Sequence, residues 1–425
     1  MSIKLEAVRG MRDLLPGQTA QWGSVERIMR NVAAQYGYAE LRTPIVEKTA
    51  LFERSIGEQT DIVEKEMYSF STHGGDSLTL RPECTASVVR AGIQHGLFRA
   101  GGQRLWYCGP MFRHERPQKG RYRQFQQFGV EAFGWPGPDV DAEILQLAAR
   151  IWSRLGIVGL ELQINTLGSE STRTQFRAAL VDYLESRKDA LDEDSKRRLQ
   201  RNPLRVLDSK NPAMQSIIAE APRILDYLDI AAAAHFSELR ARLDTAGINY
   251  TVNPLLVRGL DYYTSTVFEW ITDQLGAQNA VCAGGRYDQL ASELGGGQVP
   301  AAGFAIGLDR VMELIPSQQR KALTQVTDAY LVWLGEAARI QAPRLTEILR
   351  DAGLAVISHC GAGGLKAQMK KADRSGARYA LILGDEELEQ ELVTVKPLRQ
   401  DGQQQHLTWS QAATLLQSHR LPVLK

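Results

Sequence analysis

Apolar positions recur along this chain with two different periods, and the changes of period divide it into segments. From 18 to 36, Trp22, Val25, Ile28 or Met29, Val32 and Tyr36 fall at helical spacing, which predicts a helix stopped by Gly37. The stretch YAELRTPIV that follows reads as a strand broken by Pro44, a residue that cannot donate to a central ladder and so marks an edge or an end. LTLRPECTASVVR, at 78–90, reads as a strand running into a helix; alternation in its extended part puts Arg81, Glu83 and Thr85 on one face and turns Cys84 away. Two strand-like segments then flank the short polar stretch 113–123, the pattern of an antiparallel hairpin. In the second arm Phe125, Gln127, Gly129 and Glu131 share one side, and Gln126, Phe128, Val130 and Ala132 the other. In the first arm the same alternation brings Arg113 and Glu115 together.

The texture turns helical from about 169 to 247, where Phe176, Leu180, Tyr183 and Leu184 recur among charged runs such as DEDSKRRLQR. Strand character returns at 250–272. There VRGLDYYTSTVFEW alternates Tyr262, Thr264, Thr266 and Phe268 against Asp261, Tyr263, Ser265 and Val267. AVCAGGRYD follows as a strand and a glycine turn. AAGFAIGLDRVMELIP then reads as a strand, a turn at Gly307 and a short helix ended before Pro316, with Arg310 on its first turn. Past a polar linker at 317–327, DAYLVWLG, a helix at 337–352, LAVIS, a helix at 364–376, RYALILG and LVTVKPL alternate strand and helix. That pattern predicts a compact α/β domain with a mostly parallel sheet. Lys366, Lys370 and Arg374 follow one another at i, i+4 on its second helix with Lys371 alongside, either a solvated face or an RNA contact. GAGGLK at 361–366 lacks the spacing and the following Ser or Thr of a phosphate loop, and that reading is rejected.

Composition adds limits. A chain of 425 residues is long for one core, so two or three domains are expected, and 44% hydrophobic with 23% charged residues is ordinary globular usage. No apolar run approaches the roughly 18 residues of a membrane span, and the start MSIKLEAVRGMRD is polar, so the expectation is a cytoplasmic protein without membrane association. Cys84, Cys108, Cys282 and Cys360 form no CxxC pair; they are expected to be reduced packing residues rather than a disulfide framework or a zinc site. The net charge of +1 excludes a globally basic nucleic-acid binder. Locally, however, five basic residues, Arg113, Arg116, Lys119, Arg121 and Arg123, stand against the single acid Glu115. A phosphate-binding loop on a hairpin fits this, and it suits both a nucleotide triphosphate and a nucleic acid. The bland alternative, a solvated hairpin tip, leaves Gln127 and Glu131 on an apolar strand unexplained.

FRHE with its basic loop resembles motif 2 of the class II aminoacyl-tRNA synthetases, and RPQKGRYRQF resembles the loop of the histidyl-tRNA synthetase family in particular. YGYAELRTPIV is similar to motif 1, GLDR to motif 3, and the VRGLDYYTSTVFEW and AVCAGGRYD segments to stretches peculiar to the histidine enzymes. RPECTA is similar to the family's RPEGTA-like segment, with Cys84 where a small residue is expected. The resemblance implies an α+β catalytic domain at 1–320, built on a mostly antiparallel sheet with flanking helices and carrying a helical insertion at about 170–247. An α/β anticodon-binding domain at 328–425 follows. It implies a homodimer through motif 1, with L-histidine, ATP and tRNA(His) as partners. The reaction implied is activation of histidine to histidyl-adenylate, then transfer to tRNA. For ATP it implies Arg113, Arg121, Phe125 and Arg310, with Arg258 and Arg113 as the catalytic donors to the α-phosphate. For histidine it implies Glu83, Thr85, Gln127, Glu131, Tyr262 and Tyr263, and for the acceptor end Arg116 and Gln118. Mg²⁺ is implied as bound through ATP, with no metal site made by the protein. Two rivals are a synthetase-like regulatory subunit without aminoacylation and a pure RNA-binding module; retained motifs and the C-terminal domain argue against the first, and the Gln127, Glu131 and Tyr263 set against the second.

Overall fold

A computed structural model describes residues 5–57, 60–118, 120–276, 279–322 and 327–419. The chain divides into two compact units, Met1–Ala322 and Leu323–Lys425.

The first unit is built on an eight-stranded sheet. In spatial order its strands are Ala39–Glu40, Gln103–Phe112, Gln124–Phe133, Ala301–Gly307, Ala280–Arg286, Thr266–Ile271, Glu161–Thr166 and Thr251–Val252. The six inner strands pair antiparallel, and the two short edge strands are parallel to their neighbours. The long hairpin sits near one edge, in register from Gln103 opposite Phe133 to Phe112 opposite Gln124. Its Phe128, Val130 and Ala132 are buried, and Phe128 stacks on Trp106 with ring centroids 5.7 Å apart. Helix Gln18–Gln35 buries Trp22, Val25, Ile28, Met29 and Val32, the stripe its periodicity predicts, and Gly37 beyond it takes φ +78°. That helix packs on helix Pro138–Arg154, which also contacts strand Ala301–Gly307 and helix Ile230–Thr245.

One sequence expectation is refined here and one changes. The break expected at Pro44 in YAELRTPIV divides it between two sheets: Ala39–Glu40 joins the large sheet, while Val46–Lys48 joins a separate three-stranded sheet with Ser77–Leu80 and Tyr68–Ser71. Pro44 lies between them and interrupts the ladder. The polar stretch after Pro316 is helical over Ser317–Ala322, with the Arg320 N–H bonded to the Pro316 carbonyl at 2.9 Å. A proline at a helix start loses nothing, because that position's N–H has no intrahelical partner.

The helical stretch between the hairpin and the later strands holds Glu170–Glu185, Glu193–Arg201, Gln215–Ala219 and Ile230–Thr245. Phe176, Leu180 and Leu184 are buried in one apolar cluster with Val88, Tyr262 and Tyr263, so its core is continuous with that under the sheet. Tyr183 is half-buried and donates to the Ile217 carbonyl at 2.7 Å.

The second unit has a five-stranded sheet in the order Val356–Ser358, Ala329–Leu334, Tyr379–Gly384, Leu392–Pro397, Gln405–Thr408. Only its first three strands are parallel; the last two pair antiparallel, against the expectation of a mostly parallel sheet. The reason is the connection after Tyr379–Gly384, a helix of 5 residues, Asp385–Glu389, and a turn. A parallel crossover needs roughly a dozen residues or more. The final strand and helix Trp409–Ser418 were not anticipated, although Thr408 and Gln411 form a capping box at that helix start.

Candidate active site

The hairpin and the strands beside it enclose a cavity of about 390 Å³. Its wall includes Glu83, Thr85, Arg113, Arg121, Phe125, Gln127, Glu131, Arg258, Tyr262, Tyr263 and Arg310. Arg116 and Gln118 stand outside it, exposed on the loop, and Lys119 lies outside the described residues. Gln118 and Arg121 exchange backbone hydrogen bonds at 2.9 and 3.1 Å, and Gly120 turns the chain between them at φ +69°.

The cations are held before any ligand arrives. Glu115, buried beneath the loop, is ion-paired with Arg121, and its Oε1 lies 3.9 Å from Arg113 Nη1. Arg113 Nε also donates to the Pro82 carbonyl at 2.8 Å, and its guanidinium stands 5.5 Å from the centre of the Phe125 ring. Arg258 is ion-paired with Glu269 and lies 5.6 Å from the Tyr263 ring centre. Arg310 Nη1 donates to the Ala280 carbonyl. Its neighbour Asp309 is buried and ties the helix to the hairpin, accepting from the Gln126 N–H at 3.0 Å and from Arg12 at 2.8 Å. Burial, then the charges of neighbouring arginines, lowers the pKa of Arg121 to about 10 and depresses Arg310. Burial also depresses Arg113. All three remain cations at neutral pH, in surroundings that an anion would relieve.

The rest of the cavity is a hydroxyl and carboxylate set. Glu131 is buried, with Oε1 accepting from Thr85 Oγ1 at 2.7 Å and Oε2 from the Tyr287 hydroxyl. Burial raises its pKa to about 8, against the pull of those two hydroxyls. Room for it comes from the adjacent strand: a Cβ on Gly303 would overlap Glu131 Oε2. Gln127 accepts from the Tyr107 hydroxyl at 3.4 Å, and the Tyr107 ring occupies the space a side chain at Gly129 would fill. Glu83 accepts from the N–H groups of Thr85 and Ala86 at 2.6 and 2.9 Å, at the start of helix Thr85–Gln94. Its pKa is raised by burial, and those two amides moderate the rise.

Alternation succeeds along the hairpin and fails elsewhere. Residues 81–84 are not extended, and Arg81 does not share a face with Glu83. It turns instead to the carbonyls of Pro110 at 3.0 Å and Thr43 at 3.1 Å. Cys84 is buried 3.4 Å from Thr43 Oγ1, outside the cavity, and burial pushes its thiol up to about 12. Cys282 is also buried, but Cys360 is exposed and is no packing residue. The strand character expected over 250–272 is realised only at Thr251–Val252 and from Thr266, so Tyr262 and Tyr263 do not face opposite ways; both are buried and both line the cavity, ring centroids 4.7 Å apart. Gly259 and the turns around it keep this segment out of the ladder.

Sequence reasoning missed Tyr287, Tyr107 and Glu269, each of which holds a cavity residue in place. Glu269 carried a signal, since a carboxylate interrupts the apolar strand VFEWI just as Glu131 interrupts its own.

A family model described as "Histidyl-tRNA synthetase" matches residues 10–311, and one described as "Anticodon binding domain" matches 328–419. Among solved structures, apo histidyl-tRNA synthetase of S. aureus is 35% identical, with a TM-score of 0.80, over 97% of this chain and 100% of its own. Histidyl-tRNA synthetase of Nostoc sp. PCC 7120 is 18% identical with a TM-score of 0.71, covering 98% of this chain and 99% of its own, a likeness of fold alone.

Proposed function

The chain belongs to the histidyl-tRNA synthetase family, and from that membership we propose how its residues divide the work. The protein is a histidine–tRNA ligase, an ATP-dependent enzyme that activates histidine as the adenylate and passes it to tRNA.

In the proposed first step the histidine carboxylate attacks the α-phosphate of ATP and pyrophosphate leaves. A carboxylate is already a nucleophile, so positioning and charge stabilisation carry the catalysis. Arg113 and Arg258 are assigned to the α-phosphate, Arg121 and Arg310 to the outer phosphates, and Phe125 to the face of adenine. Glu115 holds Arg113 and Arg121, Glu269 holds Arg258 and the Ala280 carbonyl holds Arg310 in advance, so little reorganisation is needed as charge develops. Glu131 and Tyr263 are assigned to the two imidazole nitrogens, Glu83, Thr85 and Gln127 to the α-amino group, and Tyr262 to the shape of the pocket. Buried polar groups of this kind reject a side chain that leaves them unpaired by about 10⁴ to 10⁵. Arg116 and Gln118, exposed on the loop, are assigned to the acceptor end of tRNA(His).

Mg²⁺ suits this site as a companion of ATP. Among the described residues no group of three or more His, Cys, Asp or Glu is placed to hold a metal, and the nearby Glu115 and Glu269 are engaged by arginines. When bound through the phosphates and water, the ion would neutralise charge on the outer phosphates. A homodimer is proposed through the motif 1 region, supported by the exposed Ile45, Val46 and Phe70. A cytoplasmic location is proposed, in keeping with four free cysteines.

One observation carries the reading: a single cavity gathers four arginines with a buried carboxylate that is held by hydroxyls. Histidine-dependent exchange of labelled pyrophosphate into ATP is the test. Exchange with histidine and not with glutamine or phenylalanine is expected, and no exchange by folded protein overturns the assignment.

A further inference from the structure

The wall that carries Tyr262 and Tyr263 belongs to no regular strand or helix, so its shape rests on contacts from elsewhere. From the body of the unit, the Asp261 N–H reaches the Ile56 carbonyl at 3.2 Å and the Thr264 N–H reaches the Arg286 carbonyl at 2.8 Å. The Asp288 N–H also donates to Thr264 Oγ1 at 3.2 Å, and the Tyr262 ring meets that of Tyr287 with centroids 5.6 Å apart. Further contacts come from the helical insertion. Arg173, on helix Glu170–Glu185, donates through Nη1 to the Thr264 carbonyl at 2.5 Å. Arg205, in the turn Pro203–Val206, donates through Nη2 to the Gly259 carbonyl at 2.7 Å. Beside it Asn202 Nδ2 bonds to Asp261 Oδ1 at 3.1 Å, and Arg205 lies 3.5 Å from the same oxygen. Two arginines of the insertion thus grip the carbonyls at both ends of segment 259–264.

Both arginines line a second cavity of about 630 Å³, which shares Arg258, Leu260, Tyr262 and Tyr263 with the first. The tyrosine segment is therefore a partition between the two, unsupported by a sheet ladder on either side. Arg173 is half-buried, and among the described residues no carboxylate forms an ion pair with it. Burial depresses its pKa. A desolvated cation bonded to one main-chain carbonyl holds that carbonyl more firmly than a neutral donor would.

We propose that Arg173 and Arg205 are positioning residues for histidine activation, which set the histidine pocket by holding the carbonyls of Thr264 and Gly259. The proposal rests on the assignment of Tyr262 and Tyr263 to histidine. Its consequence is selective. Arg258, just before the segment, keeps its own anchor in Glu269 on strand Thr266–Ile271. Releasing the brace frees the tyrosines and leaves the phosphate donor in place.

Arg173→Ala and Arg205→Ala are each expected to raise the KM for histidine in pyrophosphate exchange roughly tenfold, the scale of one charge-assisted hydrogen bond. The KM for ATP should stay within about twofold of wild type, since binding of the other substrate is untouched. Arg173→Lys, which can still donate to the carbonyl, should recover most of the loss, and Arg173→Gln should recover less. An unchanged histidine KM, an equal rise in both KM values, or a lysine variant no better than glutamine overturns the proposal. Where an alanine variant does not fold, the Lys and Gln pair decides. Calorimetry with histidine alone separates the two levels of the argument. Wild-type protein that binds no histidine sinks the pocket assignment and the brace with it, whereas wild type and variants binding equally well sinks only the brace.

Discussion

In loop 113–123 the acid Glu115 is buried among the arginines and pairs with them, while on helix Leu365–Arg374 of the second unit Lys366, Lys370, Lys371 and Arg374 all face solvent. That helix turns Gln368 and Ala372 inward, and its four cations take part in no ion pair among the described residues. By sequence the two runs are comparable in length and charge. The difference lies in the counter-charge. A buried carboxylate fixes guanidinium groups in one geometry and lets them act without reorganising, which a solvated lysine on a flexible stem cannot do. The helix offers a diffuse attraction to anions, screened by salt. A site is therefore marked less by the density of one sign of charge than by a single buried residue of the other sign.

Breaking the fixed set should have the largest effect. Arg258→Ala is expected to lower the turnover of pyrophosphate exchange by about 10² to 10³, the measured scale for losing one preorganised donor. Histidine affinity, read by calorimetry, should fall far less; equal losses in both would contradict the role given to Arg258. Removing the counter-charge tests the comparison itself. Glu115→Gln leaves Arg113 and Arg121 charged but without their shared counter-charge, Arg113 keeping its bond to the Pro82 carbonyl, and turnover should fall roughly tenfold while ATP binding is kept or tightened. Unchanged turnover would show that the buried acid is not what distinguishes the loop. The smallest effect is expected from Lys366→Ala with Lys370→Ala. Exchange should be untouched, and the KM for tRNA should rise only a few-fold, with a shallower dependence on salt. A loss of exchange in that variant would erase the contrast between the two regions.

How much of this was legible from residues alone depended on local regularity. The hairpin arms are 10 residues each in unbroken register, so period-two alternation placed Phe125, Gln127 and Glu131 on one face without error. The same rule failed at Arg81 and at Tyr262 and Tyr263, where Pro82 and Gly259 sit in irregular backbone and no ladder enforces the alternation. There the resemblance to a family, and not the pattern, pointed to Tyr262 and Tyr263, which both line the cavity. Partners such as Tyr287 for Glu131 and Tyr107 for Gln127 come from neighbouring strands, and strand order is not written in any one segment. In the second unit four of the five strands were read, Gln405–Thr408 being missed, and their directions only in part, since the length of the connection after Gly384 decides parallel against antiparallel.

Gly303 carries a consequence of a different kind. The Glu131 carboxylate occupies volume that this residue leaves empty, so the position of this buried acid depends on a residue that offers no functional group of its own. One added methyl group there would displace the carboxylate and with it the feature assigned to read the imidazole. A survey of the groups that touch the amino acid would never name Gly303. Redesigning the pocket for another side chain thus starts one layer behind the contacts, with the decision of whether that void stays open.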